Sequence, residues 1–172
     1  ALGCYERREV MDLVNIIGFL AHPCDDLNLA GALRSPHLCL SDEDLLAVST
    51  MPGRYLFDKL RAAASGPDLP GYSRIKNAHE LLSRWKNASG RIYIGELLRA
   101  ICRDTGIFAI ASIGAGRETK KLNIEKLLSI ARSFEQRGNS GIARFAEYIE
   151  DKIARTEREA EATPAEQGLD AV

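Results

Sequence analysis

Two groups of residues in this chain have side chains and spacings suited to chemistry. Arg117, Lys120 and Lys121 follow a glycine-rich break, and Lys126 stands one helical turn further on. Such a cluster gathers cations for contact with phosphate. Glu118 and Glu125 lie in the same stretch and offer the ordinary alternative, a solvated helix face of exposed ion pairs. Arg84, Lys86 and Arg91 make a looser second set. The other group is soft: His22-Pro23-Cys24 and His37-Leu38-Cys39 together offer four ligands of the kind that hold tetrahedral zinc. Common zinc motifs separate paired ligands by two or more residues. Buried thiols and surface imidazoles are therefore expected here, and no metal is assigned. No Ser, His and Asp arrangement for acid–base or nucleophilic catalysis can be built from spacing. The phosphate loop Gly-x-x-x-x-Gly-Lys-Ser/Thr is missing from the sequence.

Composition narrows the classes. With 172 residues, 45% hydrophobic and 27% charged, the chain can bury one sizeable core. The 23 basic and 24 acidic residues leave a formal charge of -1, so nucleic-acid binding would need a local basic face. The apolar runs are too short to span a membrane. Glu6, Arg7, Arg8 and Glu9 interrupt any secretory signal. Four cysteines do not make a disulfide scaffold and read as reduced thiols of a cytoplasmic protein.

Helical period positions these groups. Val10, Leu13, Val14, Ile17 and Leu20 mark one face of a helix from about Arg7 to Ala21, and Ile16 and Phe19 make it central. Gly18 inside it implies close packing. Asp25 or Asp26 starts a second helix, which Pro36 ends, making Ser35 its boundary. Ser41 to Asp44 fits a capping box opening a third. Further stripes fall over Arg54–Ala64, then Ile75, Ala78, Leu82 and Trp85 with Ser73 as cap, then Ile94 to Ile101. Phe108 to Ile113 is strand or helix, helix fitting its neighbours better. Ile124 to Phe134 and Ile142 to Ile153 complete the pattern. Trp85 reads as core. The expectation is an all-α domain over residues 1–154, an irregular orthogonal bundle of about eight helices, with residues 155–172 as helix fray and linker.

Three patches resemble the UvrD-type superfamily 1 DNA helicases, and most closely the helicase–nuclease subunits of the AddA, RexA or RecB kind. Tyr5-Glu6-Arg7-Arg8-Glu9-Val10-Met11-Asp12 is similar to an aromatic-x-Arg-x-Glu-Val/Ile-basic-Asp motif. Asp26-Leu27-Asn28-Leu29-Ala30-Gly31-Ala32-Leu33-Arg34-Ser35-Pro36, with Leu40-Ser41-Asp42-Glu43-Asp44-Leu45, is similar to D-I-x-L-A-A-V-L-R-S-P followed by G-L-S-D-E-E-L. Lys121-Leu122-Asn123-Ile124-Glu125-Lys126-Leu127-Leu128, then Phe134-Glu135, is similar to R-x-A-N-L-x-x-L with F-E further on.

The resemblance covers roughly Tyr5 to Lys152 and implies the helical insertion called subdomain 2B, lying within the second RecA-like motor domain. It implies a parent that unwinds or translocates on DNA with ATP and magnesium in recombination and double-strand-break repair, possessing exonuclease activity in some members. This region would neither bind nor hydrolyse ATP. Its implied partners are duplex DNA near a fork, the motor domains and a second helicase–nuclease subunit. Arg7, Arg34, Arg117, Lys120 and Lys121 are the implied DNA contacts, and Glu9 and Asp12 the implied interdomain residues. Met11 departs from the family's basic residue, and Cys39 stands where nuclease-type relatives have Gly. A connector there can offer backbone amides to phosphate, but Asp42, Glu43 and Asp44 would repel one, so Ser35–Ser41 reads as a structural turn. A protein-docking module for the motor or the partner subunit is the rival function.

Overall fold

The computed structural model describes residues 8–66, 69–114 and 116–161, with side chains through Arg155. Nine helices and no strand occur among them: α1 (Arg8–Ala21), α2 (Asp26–Arg34), α3 (Asp42–Ser49), α4 (Leu56–Ala63), α5 (Tyr72–Ala88), α6 (Ile94–Thr105), α7 (Ile107–Ala111), α8 (Arg117–Gln136) and α9 (Ile142–Glu161). The all-α expectation holds, and the run after Gly106 is helical as α7.

α1 is the central element because apolar residues occupy most of its circumference. Val10, Leu13, Ile16, Ile17 and Phe19 are all buried. It packs on α2, α8 and α9, while α6 lies on α8, and α3, α4 and α5 follow one another as a second group. The α1–α2 approach depends on two reciprocal glycines. A Cβ on Gly18 would stand 2.5 Å from the Asn28 side chain, and one on Gly31 would stand 2.5 Å from Asn15. Each helix therefore offers a glycine to the other's asparagine, which is the physical meaning of the Gly18 signal.

Capping chemistry resolves the open choices. Asp25 caps α2, its carboxylate accepting from the amides of Leu27 and Asn28 at 3.0 and 3.1 Å. Asp26 instead accepts from the Leu56 amide at 2.7 Å, so it fixes the start of α4 against α2. Ser41 and Asp44 form the expected capping box at α3. Ser73 is not the cap of α5. The helix starts at Tyr72, with Gly71 at the cap in the left-handed region at φ 73. The reason is tertiary. Asp44 lies under this turn, and a Cβ on Gly71 would come within 1.8 Å of its Oδ1. Near the other end, α9 continues to Glu161, past the fray expected from Arg155 onward. Glu157, Arg158, Glu159, Ala160 and Glu161 follow Arg155, mostly residues of good helix propensity. Residues 162–172 lie outside the described part.

Trp85 is 1% exposed, in the core as its stripe implied. Its Nε1 donates to Asp104 Oδ2 at 3.0 Å, which ties α5 to α6. Glu135 of α8 accepts from the amides of Ile94 and Gly95, capping α6 from a distant helix.

Candidate functional site

The start of α1 meets the turn before α3, the short α7 and the first turn of α8 around a cleft of about 130 Å³. Arg8, Glu9 and Asp12 line it from α1, and Pro36 and His37 from the turn. Ile107, Ile110 and Ala111 of α7 and Lys120 of α8 complete it. Glu9 and Asp12, singled out in the sequence as interdomain residues, thus share one cleft with Lys120, singled out as a cation. Glu9 is anchored, because its Oε1 accepts from Asn123 Nδ2 of α8 at 2.9 Å.

His37 forms the floor. Its side chain is 2% exposed, and neither ring nitrogen has a hydrogen-bond partner. Asp12 Oδ2 is 3.8 Å from Nε2, beyond hydrogen-bonding distance. Burial pushes the His37 imidazole down to about 4, so the ring is neutral near pH 7. Burial likewise raises the Asp12 carboxyl above its ordinary range, against the opposing pull of Arg8. His37 is therefore a buried, neutral imidazole rather than the surface one that the sequence suggested.

The two His-x-Cys pairs do not converge. Cys24 and Cys39 are exposed, Cys102 is buried, and Cys39 Sγ donates to the Pro36 carbonyl at 2.8 Å. Among the described residues, no three His, Cys, Asp or Glu side chains could share a metal ion. Cys4 lies outside them. Burial raises the Cys102 thiol to about 11, which makes it unreactive.

The turn itself is closed to phosphate. The amides of Leu38 and Cys39 donate to Ser35 O, and that of Leu40 to Leu33 O. The Ser41 amide donates to Asp44 Oδ2. Cys39 has φ 57, a left-handed conformation that favours glycine. That explains in backbone terms why glycine suits this position. The acidic run is also quenched. Asp44 accepts Arg74 Nε and Nη2 at 2.7 and 2.9 Å, and Asp42 pairs with Arg34 at 3.0 Å.

The remaining cations divide into employed and available ones. Arg84 bonds Asp104 at 3.3 Å, and Lys86 stands 5.3 Å over the Phe57 ring. Arg34 is held by Asp42 and does not line the cleft. Arg117, Lys120 and Lys121 occupy the first turns of α8, with Arg117 only 3.9 Å from exposed Glu118. Cations at a helix start oppose the macrodipole, so helix stability does not account for this arrangement. Arg7 lies outside the described residues. Arg8, exposed beside Lys120, is the cation that sequence reading passed over. Its proximity to α8 depends on a packing no spacing records.

No protein-family profile matches the chain. Individual proteins do. Its relatives are ATP-dependent helicase/nuclease A subunits. The chain is 27% identical over 161 residues to the one from Bacillus cytotoxicus, a match covering 90% of this chain and 13% of that protein. It is 28% identical over 152 residues to the Bacillus velezensis subunit, covering 86% and 12%. The Heliobacterium modesticaldum subunit matches at 28% over 159 residues, covering 86% and 11%. The chain thus spans only 11–13% of the length of these subunits, consistent with a fragment of such a helicase. No helix among the described residues is long and apolar enough to cross a membrane.

Proposed function

We propose that this chain is an accessory helical segment, of the 2B insertion kind, in an ATP-dependent DNA helicase–nuclease subunit of recombination and double-strand-break repair. It acts by contacting DNA near the fork and by seating against the motor domains, and it has no catalysis of its own. The observation that carries this reading is the placing of Arg8 and Lys120 around one cleft with Glu9 and Asp12, with Arg117 and Lys121 on the same first turns of α8. The relatives' names supply the helicase–nuclease context. ATP and magnesium act elsewhere in such a subunit. The residues here do not fit them, since the sequence has no phosphate loop and the described residues hold no carboxylate cluster. A cytoplasmic location follows from this reading, as does a second helicase–nuclease subunit as partner.

A docking role for the same end has its own support. Ile113 and Leu122 flank the cations and are 73% and 62% exposed. Fluorescence anisotropy with a labelled forked duplex separates the two. DNA contact gives binding that falls steeply with salt, and changing Arg117, Lys120 and Lys121 to Ala lowers the salt slope by roughly 2–3. No binding at low salt removes the DNA role and leaves docking.

A further inference from the structure

The cleft floor is unsatisfied by anything in the described residues. Unbonded buried polar atoms are rare because they are costly, so the two bare nitrogens of His37 call for a partner from outside. A neutral imidazole offers one donor and one acceptor. Asp12, 3.8 Å away, adds a carboxylate that only accepts. Pro36, Ile107, Ile110 and Ala111 supply apolar walls, and Arg8 and Lys120 supply positive charge with no ion pair among the described residues.

Charge decides the class of occupant. An acidic side chain would face Asp12 and the anchored Glu9. An Arg or Lys side chain would add a third cation beside Arg8 and Lys120. A Tyr or Trp would fill the walls and leave those two cations without a partner. A nucleotide meets all the requirements at once: a neutral flat ring, a hydrogen-bonding edge, and a negative charge carried outside the ring. We propose that the cleft takes an unstacked base of single-stranded DNA, its faces against the apolar walls, its edge on His37 and Asp12, and its phosphate toward Arg8 and Lys120. Single-strand binders combine these elements, ring contact plus a cationic track. Asp12 accepts equally from the exocyclic amino group of cytosine or the N3–H of an unstacked thymine, so the slot takes any base. This inference rests on the DNA-contacting reading and names the part of the substrate that this cleft would hold.

The test compares forks that share one duplex and differ in the single-stranded arm: oligo-dC, oligo-dT, or an abasic backbone. The chain should bind the dC- and dT-armed forks alike and about fivefold more tightly than the abasic one, the low end for one base because the walls carry no aromatic ring. His37→Leu should reduce the gain over the abasic arm while leaving the salt slope unchanged. Asp12→Asn, which keeps an acceptor and removes the negative charge, should preserve that gain. Both variants are checked by thermal melting. Equal affinity for dC and abasic arms overturns the base slot but leaves DNA contact standing, and points to a protein side chain as occupant. No binding to any fork at low salt overturns the DNA reading and the slot together.

Discussion

Two buried polar side chains lie seven residues apart and behave in opposite ways. Asp44 is 1% exposed and accepts three hydrogen bonds, two from Arg74 and one from the Ser41 amide. Those bonds hold its carboxyl below the usual range, the Arg74 contact contributing most. His37 is 8% exposed and has none. A satisfied buried charge welds elements together, here α3 to α5 through Gly71 and Arg74. A buried polar group with no partner contributes no such bond and carries its desolvation cost uncompensated. The difference distinguishes a polar group that ties two helices together from one left without a partner among the described residues.

The contrast is broken most easily with acid. The folded His37 ring takes up its proton only near pH 4, whereas an unfolded histidine does so near 6.5. Between those values the unfolded chain binds more protons, so stability is present above about 6.5 and lost as pH falls. The loss reaches about 3 kcal/mol by pH 4. The raised Asp12 carboxyl opposes it in part just above 3.8, and the Asp44 contribution disappears only below 3.8. Urea melts of the wild type and His37→Leu across this range isolate the effect, and superimposable profiles would contradict the buried, unbonded ring.

Arg74→Ala tests the other member. It leaves the Asp44 carboxylate with the Ser41 amide alone. Because Arg74 is 51% exposed, water relieves some of the loss, and the expected cost is about 2 kcal/mol by urea denaturation. A neutral outcome would mean that Asp44 is not welded as described. The smallest effect belongs to the turn between the two residues. Cys39→Gly relieves a left-handed conformation at φ 57 and should stabilise by about 1 kcal/mol. A loss instead would show that the Cys39 Sγ to Pro36 contact outweighs the backbone strain.

What the sequence revealed and what it hid follow from range. Caps and stripes act within a few residues, so Ser41 with Asp44 could be read from spacing, whereas spacing leaves the choice between Asp25 and Asp26 open and the run Phe108–Ile113 reads as helix only from its neighbours. Gly18 signalled a close approach, but its asparagine partner across α2 could not be named. Ser73 looked like a cap because nothing local reveals that Asp44, 27 positions earlier, occupies the turn below Gly71. The cleft was half visible. Glu9, Asp12 and Lys120 had been marked singly. His37 had been weighed only with its neighbouring cysteine, since burial under α1 is a property of packing. Only the resemblance drew attention to Glu9 and Asp12 at the start of α1, since their chemistry alone did not.

The packing of α1 (Arg8–Ala21) against α9 (Ile142–Glu161) also constrains how the chain is made. α2 can cover one side of α1 as soon as both leave the ribosome. The side that faces α9 stays open until about 120 more residues are translated, an interval on the order of ten seconds. Through that interval the nascent chain carries an incomplete apolar surface on α1, which the arrival of α9 covers.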